Sequence, residues 1–195
     1  METVIMIGPK HSGKTSVGKA LASLCSCEFI DIDELITQRT GKTPRQLFSE
    51  GQAVFQKAEA EASAALFGAG NTDDGEKRRV VAVGGGIIDN AEAVAALKKA
   101  GGEPAPCGLG GGSGAAVVYL NISADCAWDR IAAGGELPPF LRTENPRETH
   151  RALHERRAAA YLRIADIVIN AEGNSIEENA REIFNLVIRK SLPCV

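Results

Sequence analysis

The run Gly8-Pro9-Lys10-His11-Ser12-Gly13-Lys14-Thr15 matches G-x-x-x-x-G-K-[ST] in full. Its glycines let the backbone curl so that successive N–H groups point at phosphate oxygens, and a following helix adds positive partial charge from its N-terminus. Lys14 is spaced to reach β and γ phosphates, and the Thr15 hydroxyl to ligate Mg²⁺. Gly8, Ser12, Gly13, Lys14, Thr15 and Ser16 are therefore the candidate nucleotide contacts. A glycine-rich turn with a chance Lys-Thr is the bland alternative. The strand pattern Thr3 to Ile7 before the motif and the helix pattern from Lys14 after it count against that alternative. His11 reads as a loop surface residue.

A second constellation is Phe29-Ile30-Asp31-Ile32-Asp33, at the carboxyl end of a second apolar run. In open α/β sheets that edge is where ligands bind. Strand alternation predicts Asp31 and Asp33 on one side, with one carboxylate for Mg²⁺ and the other to accept a proton from a substrate hydroxyl. The structural alternative is that Asp33 merely caps the next helix. A third is Gly84-Gly85-Gly86 after Val80 to Val83, where a ligand can approach backbone closely. On its own this triplet is also an ordinary tight turn.

The elements that must position these residues are five short apolar runs: Thr3 to Ile7, Glu28 to Ile32, Val80 to Val83, Ala116 to Leu120 and Ala165 to Ile169. They do not alternate with polar residues, as expected of strands buried on both faces. Helix patterns cover Lys14 to Leu24, Asp33 to Arg39, Thr43 to Leu66, residues 89–100 with Asp89 as N-cap, 124–133 and 147–163. A last helix starts at the capping box Ser175–Glu178, with Ile176, Ile183, Leu186 and Val187 as its apolar face. Strands alternating with helices imply a parallel sheet. Segments 68–79 and 101–115, the latter with Gly110 to Gly114, read as flexible loops within one domain over 1–195.

Composition narrows the function classes. The chain has 195 residues, 44% hydrophobic and 24% charged, which suits one globular domain. Its net charge of −3 argues against a general nucleic-acid binder, while leaving room for a local basic pocket. The cysteines are Cys25, Cys27, Cys107, Cys126 and Cys194; the count is odd and no CxxC occurs, so reduced thiols in a cytoplasmic protein are expected. No apolar run approaches the length of a membrane span, and Met1 to Ile5 lacks the basic start of a signal peptide.

At these residues the chain resembles the shikimate kinases, a group of small P-loop kinases. The blocks carrying the resemblance are IGPKHSGKTSVGKALA (7–22), FIDIDELITQRTGKTPRQLFSEGQAVFQKAEAEA (29–62), VAVGGGIID (81–89), VVYLNISADCAWDRI (117–131) and HERRAAAYLRIADIVI (154–169). The resemblance implies a three-layer α/β fold with a five-stranded parallel sheet in order 2-3-1-4-5 and helices on both faces. It implies a substrate-binding helical region at 33–66 and a lid at 134–150. It also implies ATP and Mg²⁺, a place in aromatic amino acid biosynthesis, and transfer of the γ-phosphoryl group to the 3-hydroxyl of shikimate. Carried over by position, Lys14 and Thr15 serve nucleotide and Mg²⁺, and Asp31 is linked to Mg²⁺ through water. Asp33 is the base, and Gly84, Gly85 and Gly86 contact substrate. Arg157, four residues before Tyr161, binds the substrate carboxylate, and Arg130 lies near adenine.

Two positions depart from the pattern. Gln56 stands after Phe55 where the family has a carboxylate-gripping arginine, and Pro138 stands at the arginine of the lid segment Leu137-Pro138-Pro139-Phe140-Leu141. Losing two charge-assisted contacts of about 1.5–3 kcal/mol each amounts to roughly 10²–10⁴ in affinity for an anionic acceptor. Arg142, just beyond the lid segment, is the expected replacement, with Lys57 beside Gln56 as another cation. The expected partner is a small hydroxyl acceptor, with neither nucleic acid nor membrane. Shikimate, a different polyol or sugar, and a nucleotide-binding protein that has lost transfer all stay open at this point, as do monomer and dimer.

Overall fold

The computed structural model describes residues 3–67, 78–101, 115–134, 137–138 and 141–188. Five parallel strands form one sheet in the order β2-β3-β1-β4-β5, as expected. They are β1 (Thr3–Ile7), β2 (Glu28–Asp31), β3 (Arg79–Ala82), β4 (Ala115–Asn121) and β5 (Ile167–Asn170). β1 is central, with Ile5 in register with Val81 of β3 and Val117 of β4. All of its residues are buried, which is why its sequence shows no polar alternation.

Alternation instead sorts β1 between two cores. Val4 and Met6 face α1 (Lys14–Cys25) and α8 (Ile176–Ile183), packing with Val17, Leu21, Ala180 and Ile183. Ile5 and Ile7 face the other layer, built by α2 (Ile32–Thr40), α3 (Pro44–Glu50), α4 (Gln52–Phe67), α5 (Ala91–Gly101) and α7 (Pro146–Leu162). The remaining helix, α6 (Ala124–Ala133), sends Ala127 into the first core. Each fully buried Ile or Leu contributes about 1.5–3 kcal/mol, so the doubly covered sheet is the main source of stability.

Several expected boundaries shift. The stretch from Thr43 to Leu66 is two helices, split at Gly51, whose φ of 151° an L side chain rarely adopts. β2 stops at Asp31 and α2 begins at Ile32, so Asp31 and Asp33 are not neighbours on one strand face. The cap of α2 is Asp31, which accepts from the Asp33 backbone N–H at 3.0 Å, and not Asp33. Asp89 ends a short 3₁₀ turn, Ile87–Asp89, and the residue that accepts from the first turn of α5 is Asn90, bonded to Ala93 N–H at 3.3 Å. The Ser175–Glu178 capping box is present, and Ile183 and Val187 are buried, but Ile176 faces solvent. Beyond α8 the chain continues as a π-helical turn, Phe184–Ile188. The expected loops over 68–79 and 101–115, with Cys107 and Gly110 to Gly114, lie outside the described residues apart from their ends, as do Pro139, Phe140 and Cys194. Cys25, Cys27 and Cys126 are free thiols; Cys25 and Cys27 pack beside the first core, and burial pushes the Cys25 thiol up to about 11. Among the described residues no helix is long and apolar enough to cross a membrane.

One tertiary bond connects the second core to the carboxyl edge of the sheet. Tyr161, 1% exposed on α7 and 5.1 Å from the Tyr119 ring of β4, donates its hydroxyl to the Gly85 carbonyl oxygen. Tyr161→Phe keeps the ring but leaves that oxygen unpartnered. It is expected to lower unfolding free energy by about 1–2 kcal/mol in urea titrations, without changing the m-value.

Candidate active site

The loop after β1 is shaped by what surrounds it. Gly8 has φ 146°, and a Cβ there would lie 2.6 Å from the Leu120 carbonyl oxygen of β4, so only glycine lets the chain pass. Lys14 is buried and folds back, donating to the carbonyl oxygens of Gly8 at 3.0 Å and Pro9 at 2.8 Å. Burial pulls its ammonium down to about 8, although Asp33 and Asp31 act in the opposite direction. Unlike α3, α6 and α8, which are capped by Thr43, Ser123 and Ser175, α1 has no side-chain cap. The Ser12 hydroxyl oxygen is buried with no hydrogen-bond partner among the described residues. An uncapped helix start, a buried amine and an orphaned hydroxyl in one curled loop are what a phosphate group satisfies.

Asp31 links this loop to the second constellation. One carboxylate oxygen accepts from the Thr15 hydroxyl at 2.8 Å, and the other from Asp33 N–H at 3.0 Å. A hydroxyl and a carboxylate side by side are hard oxygen donors suited to Mg²⁺. Among the described residues no group of three or more His, Cys, Asp or Glu could hold a metal by protein ligands alone.

Asp33, in the first turn of α2, lines a cavity of about 1040 Å³. The residue is exposed, yet its carboxyl sits among groups that desolvate it. Burial raises its pKa first and Asp31 next, against Lys14 and Lys10. Gly85 and Gly86 form part of the same wall. A Cβ on Gly85 would lie 2.8 Å from the Lys10 backbone nitrogen, so the glycine triplet and the phosphate loop lie backbone against backbone. A Cβ on Gly84 would lie 3.1 Å from Glu59 Oε1 and 3.5 Å from Asp33 Oδ1.

The structure thus brings Asp33, Gln56, Gly85, Gly86 and Arg157 to one cavity, which the buried Pro138 also lines. Gly84 lies just behind, beside Asp33. Arg130 lies apart, donating to the His11 carbonyl oxygen at 2.9 Å, next to the phosphate loop. Ser16 is exposed on α1. Arg142 is exposed and is not among the residues lining this cavity. Lys57 points outward, 3.9 Å from Glu61.

Three cavity residues escaped sequence reasoning. Glu59, 1% exposed, is bonded through Oε2 to Asn90 at 3.0 Å, while Oε1 has no partner among the described residues. Asp89 accepts from Arg157 Nε at 2.9 Å and Nη2 at 2.7 Å, and its other oxygen is 2.9 Å from Arg156 Nη1. The spacing Gln56–Glu59, one helical turn on α4, was the available signal for Glu59. Asp89 and Arg156 carried none, because their pairing joins residues far apart in the chain.

A family model described as Shikimate kinase matches residues 10–188. A shikimate kinase of Methylococcus capsulatus is 34% identical, over 93% of this chain and 90% of that protein. One of Thermodesulfovibrio yellowstonii is 31% identical, over 94% and 93%. The solved structure of an Acinetobacter baumannii shikimate kinase in complex with shikimate superposes with a TM-score of 0.79 at 28% identity, covering 98% of this chain and 96% of that one.

Burial, with Asp33 and Asp89 nearby, pushes the Glu59 carboxyl from an ordinary 4.5 up to about 7, although Asn90 and Arg157 act against the shift. Between those values the folded protein holds a proton that the unfolded chain has released. This contribution to stability is full below pH 4.5 and is lost as pH rises through about 7. Glu59→Gln removes the burial of charge. Relative to wild type it is expected to be more stable at pH 8 than at pH 5, by on the order of 1–3 kcal/mol in paired denaturant titrations.

Proposed function

Because the chain belongs to the shikimate kinase family, we propose that it transfers the γ-phosphoryl group of ATP to the 3-hydroxyl of shikimate, with Asp33 receiving the hydroxyl proton. It is an ATP-dependent phosphotransferase acting on a hydroxyl. One observation carries the reading of the site: the Gly85 backbone packs on the Lys10 backbone, so the phosphate loop forms a wall of the acceptor cavity. Donor phosphate and acceptor hydroxyl then meet without crossing solvent, and positioning supplies most of the rate in phosphoryl transfer.

In this reading Gly8, Ser12, Gly13, Lys14, Thr15 and Ser16 hold the phosphates, and Arg130 lies on the nucleotide side. Mg²⁺ bound with the nucleotide supplies positive charge at the phosphate oxygens, and Thr15 and Asp31 are the residues that would hold it. Lys14 trades its carbonyl partners in the loop for phosphate oxygens and stabilises the charge that develops there. Asp33, its carboxyl made more basic by burial and by Asp31, orients the acceptor hydroxyl and takes its proton. Gly85 and Gly86 pass close to the acceptor, and Arg157 binds its carboxylate. The helical region 33–66 forms the acceptor platform of a single domain over 1–195; of the lid expected at 134–150, Leu137 and Pro138 line the cavity, and from Pro146 the chain is helix α7. Free thiols at Cys25, Cys27 and Cys126 support a cytoplasmic location.

A second acceptor class is favoured by one contact. Asp89 already engages Arg157, and position 56 is uncharged, which suits a polyol or sugar without a carboxylate. Mg·ATP-dependent phosphorylation of shikimate, measured beside quinate and a panel of sugars, separates the two. Shikimate turnover is expected, and ATP binding without turnover on shikimate overturns the reading. Asp33→Asn is expected to lower kcat by about 10²–10⁴-fold while leaving ATP affinity in place. An unchanged kcat removes Asp33 from the role of base.

A further inference from the structure

Three positions converge on Asp89. Gln56 of α4 donates to its backbone carbonyl oxygen at 3.2 Å, while Arg157 and Arg156 of α7 bond its two carboxylate oxygens. Position 56 is therefore within reach of the same residue as both arginines, although it lacks the charge that the family resemblance places there. Arg157 is largely buried, its side chain 18% exposed, and is fixed through Nε and Nη2. Arg156 lines the same cavity but keeps its side chain 62% exposed, at the open side. A guanidinium carries five donors in a planar fork, so an arginine bonded to one carboxylate can still bond a second. Two arginines on one aspartate leave a net charge of +1 within this group of three side chains.

We infer that Arg156 and Arg157, aligned by Asp89, form a two-arginine clamp for the acceptor carboxylate, in which Arg156 supplies the second cation that Gln56 lacks. The cation has moved from α4 to α7. Asp89 acts as the spacer: without it, two guanidinium groups on adjacent residues would repel and separate. A monoanionic carboxylate matches the remaining single positive charge. The clamp rests on the reading of a carboxylate-bearing acceptor, and it makes Arg156 a specificity-determining residue for that acceptor.

The test uses the full chain with Mg·ATP and two acceptors, shikimate and its methyl ester, which keeps the ring hydroxyls and loses the charge. Arg156→Ala is expected to raise the KM for shikimate about 10–100-fold, with kcat and the KM for ATP changed less than about twofold. Arg156→Lys, which keeps the charge without the fork, is expected to recover part of that loss. The methyl ester is expected to be a poor acceptor for wild type and equally poor for Arg156→Ala, because the two changes remove the same contact. A KM for shikimate unchanged in Arg156→Ala, or losses that add across enzyme and ester, overturns the clamp while wild-type turnover on shikimate leaves the proposed function standing. A wild type inactive on shikimate overturns both. Arg156 is exposed, so matching melting temperatures are expected, and a KM that changes only together with a lower melting temperature also overturns the clamp.

Discussion

The parallel pairing of β1 with β3 on one side and β4 on the other is the constraint on which the site depends. Parallel strands bring their carboxyl ends to a single edge, so the segments that follow β1, β2 and β3 emerge side by side. The loop after β1 passes within van der Waals limits of Leu120 on β4, and the glycine triplet after β3 lies on that loop. Neither segment can move without disturbing the other. A phosphate loop and an acceptor wall held in this way are set by the register of the central strands, not by flexible side chains.

On this frame the charges are arranged as a chain of dependencies. Asp31 satisfies Thr15 and caps α2 with its two oxygens, which orients Asp33 at the start of that helix. Asp33 lies across Gly84 from the buried Glu59, and Glu59 in turn holds Asn90, the residue that starts α5. Asp89, next in the chain, holds two arginines of α7. Charges of both signs therefore line the cavity, Lys10 near Asp33 and Asp89 between Arg156 and Arg157. Low local dielectric raises the Asp33 and Glu59 carboxyl pKa values above what they would be on an open surface. The fold and the family of ATP-dependent kinases follow from the sheet and the phosphate loop, whereas the contacts at Asp89 join α7 to the 3₁₀ turn after β3.

Much of the fold was legible because its signals are local. A β-branched run buried on both faces reads as a central parallel strand, and a G-x-x-x-x-G-K-T element between strand and helix reads as a phosphate loop, each from a handful of contiguous residues. The five strands and their order agree with expectation. The capping box at Ser175 and Glu178 was equally readable, since both partners lie within four residues. The junction at Asp31 was less so. Whether a chain leaves a strand at residue 31 or 32 depends on which side chain finds the free N–H, and Asp31 and Asp33 were equal candidates by type.

What the sequence determined by itself was therefore the kind of chemistry: a phosphate loop, paired aspartates and a glycine-lined acceptor edge, with the family resemblance marking position 56 as lacking an arginine. Only the tertiary structure decided which arginines stand at that edge. Proximity along the chain pointed to Arg142, but α7 crosses beside the 3₁₀ turn after β3 and brings Arg156 and Arg157 to Asp89. The physical reason is the range of the interaction. A cap or a loop motif is formed within a few residues, whereas an ion pair spanning 68 positions exists only after both cores have packed.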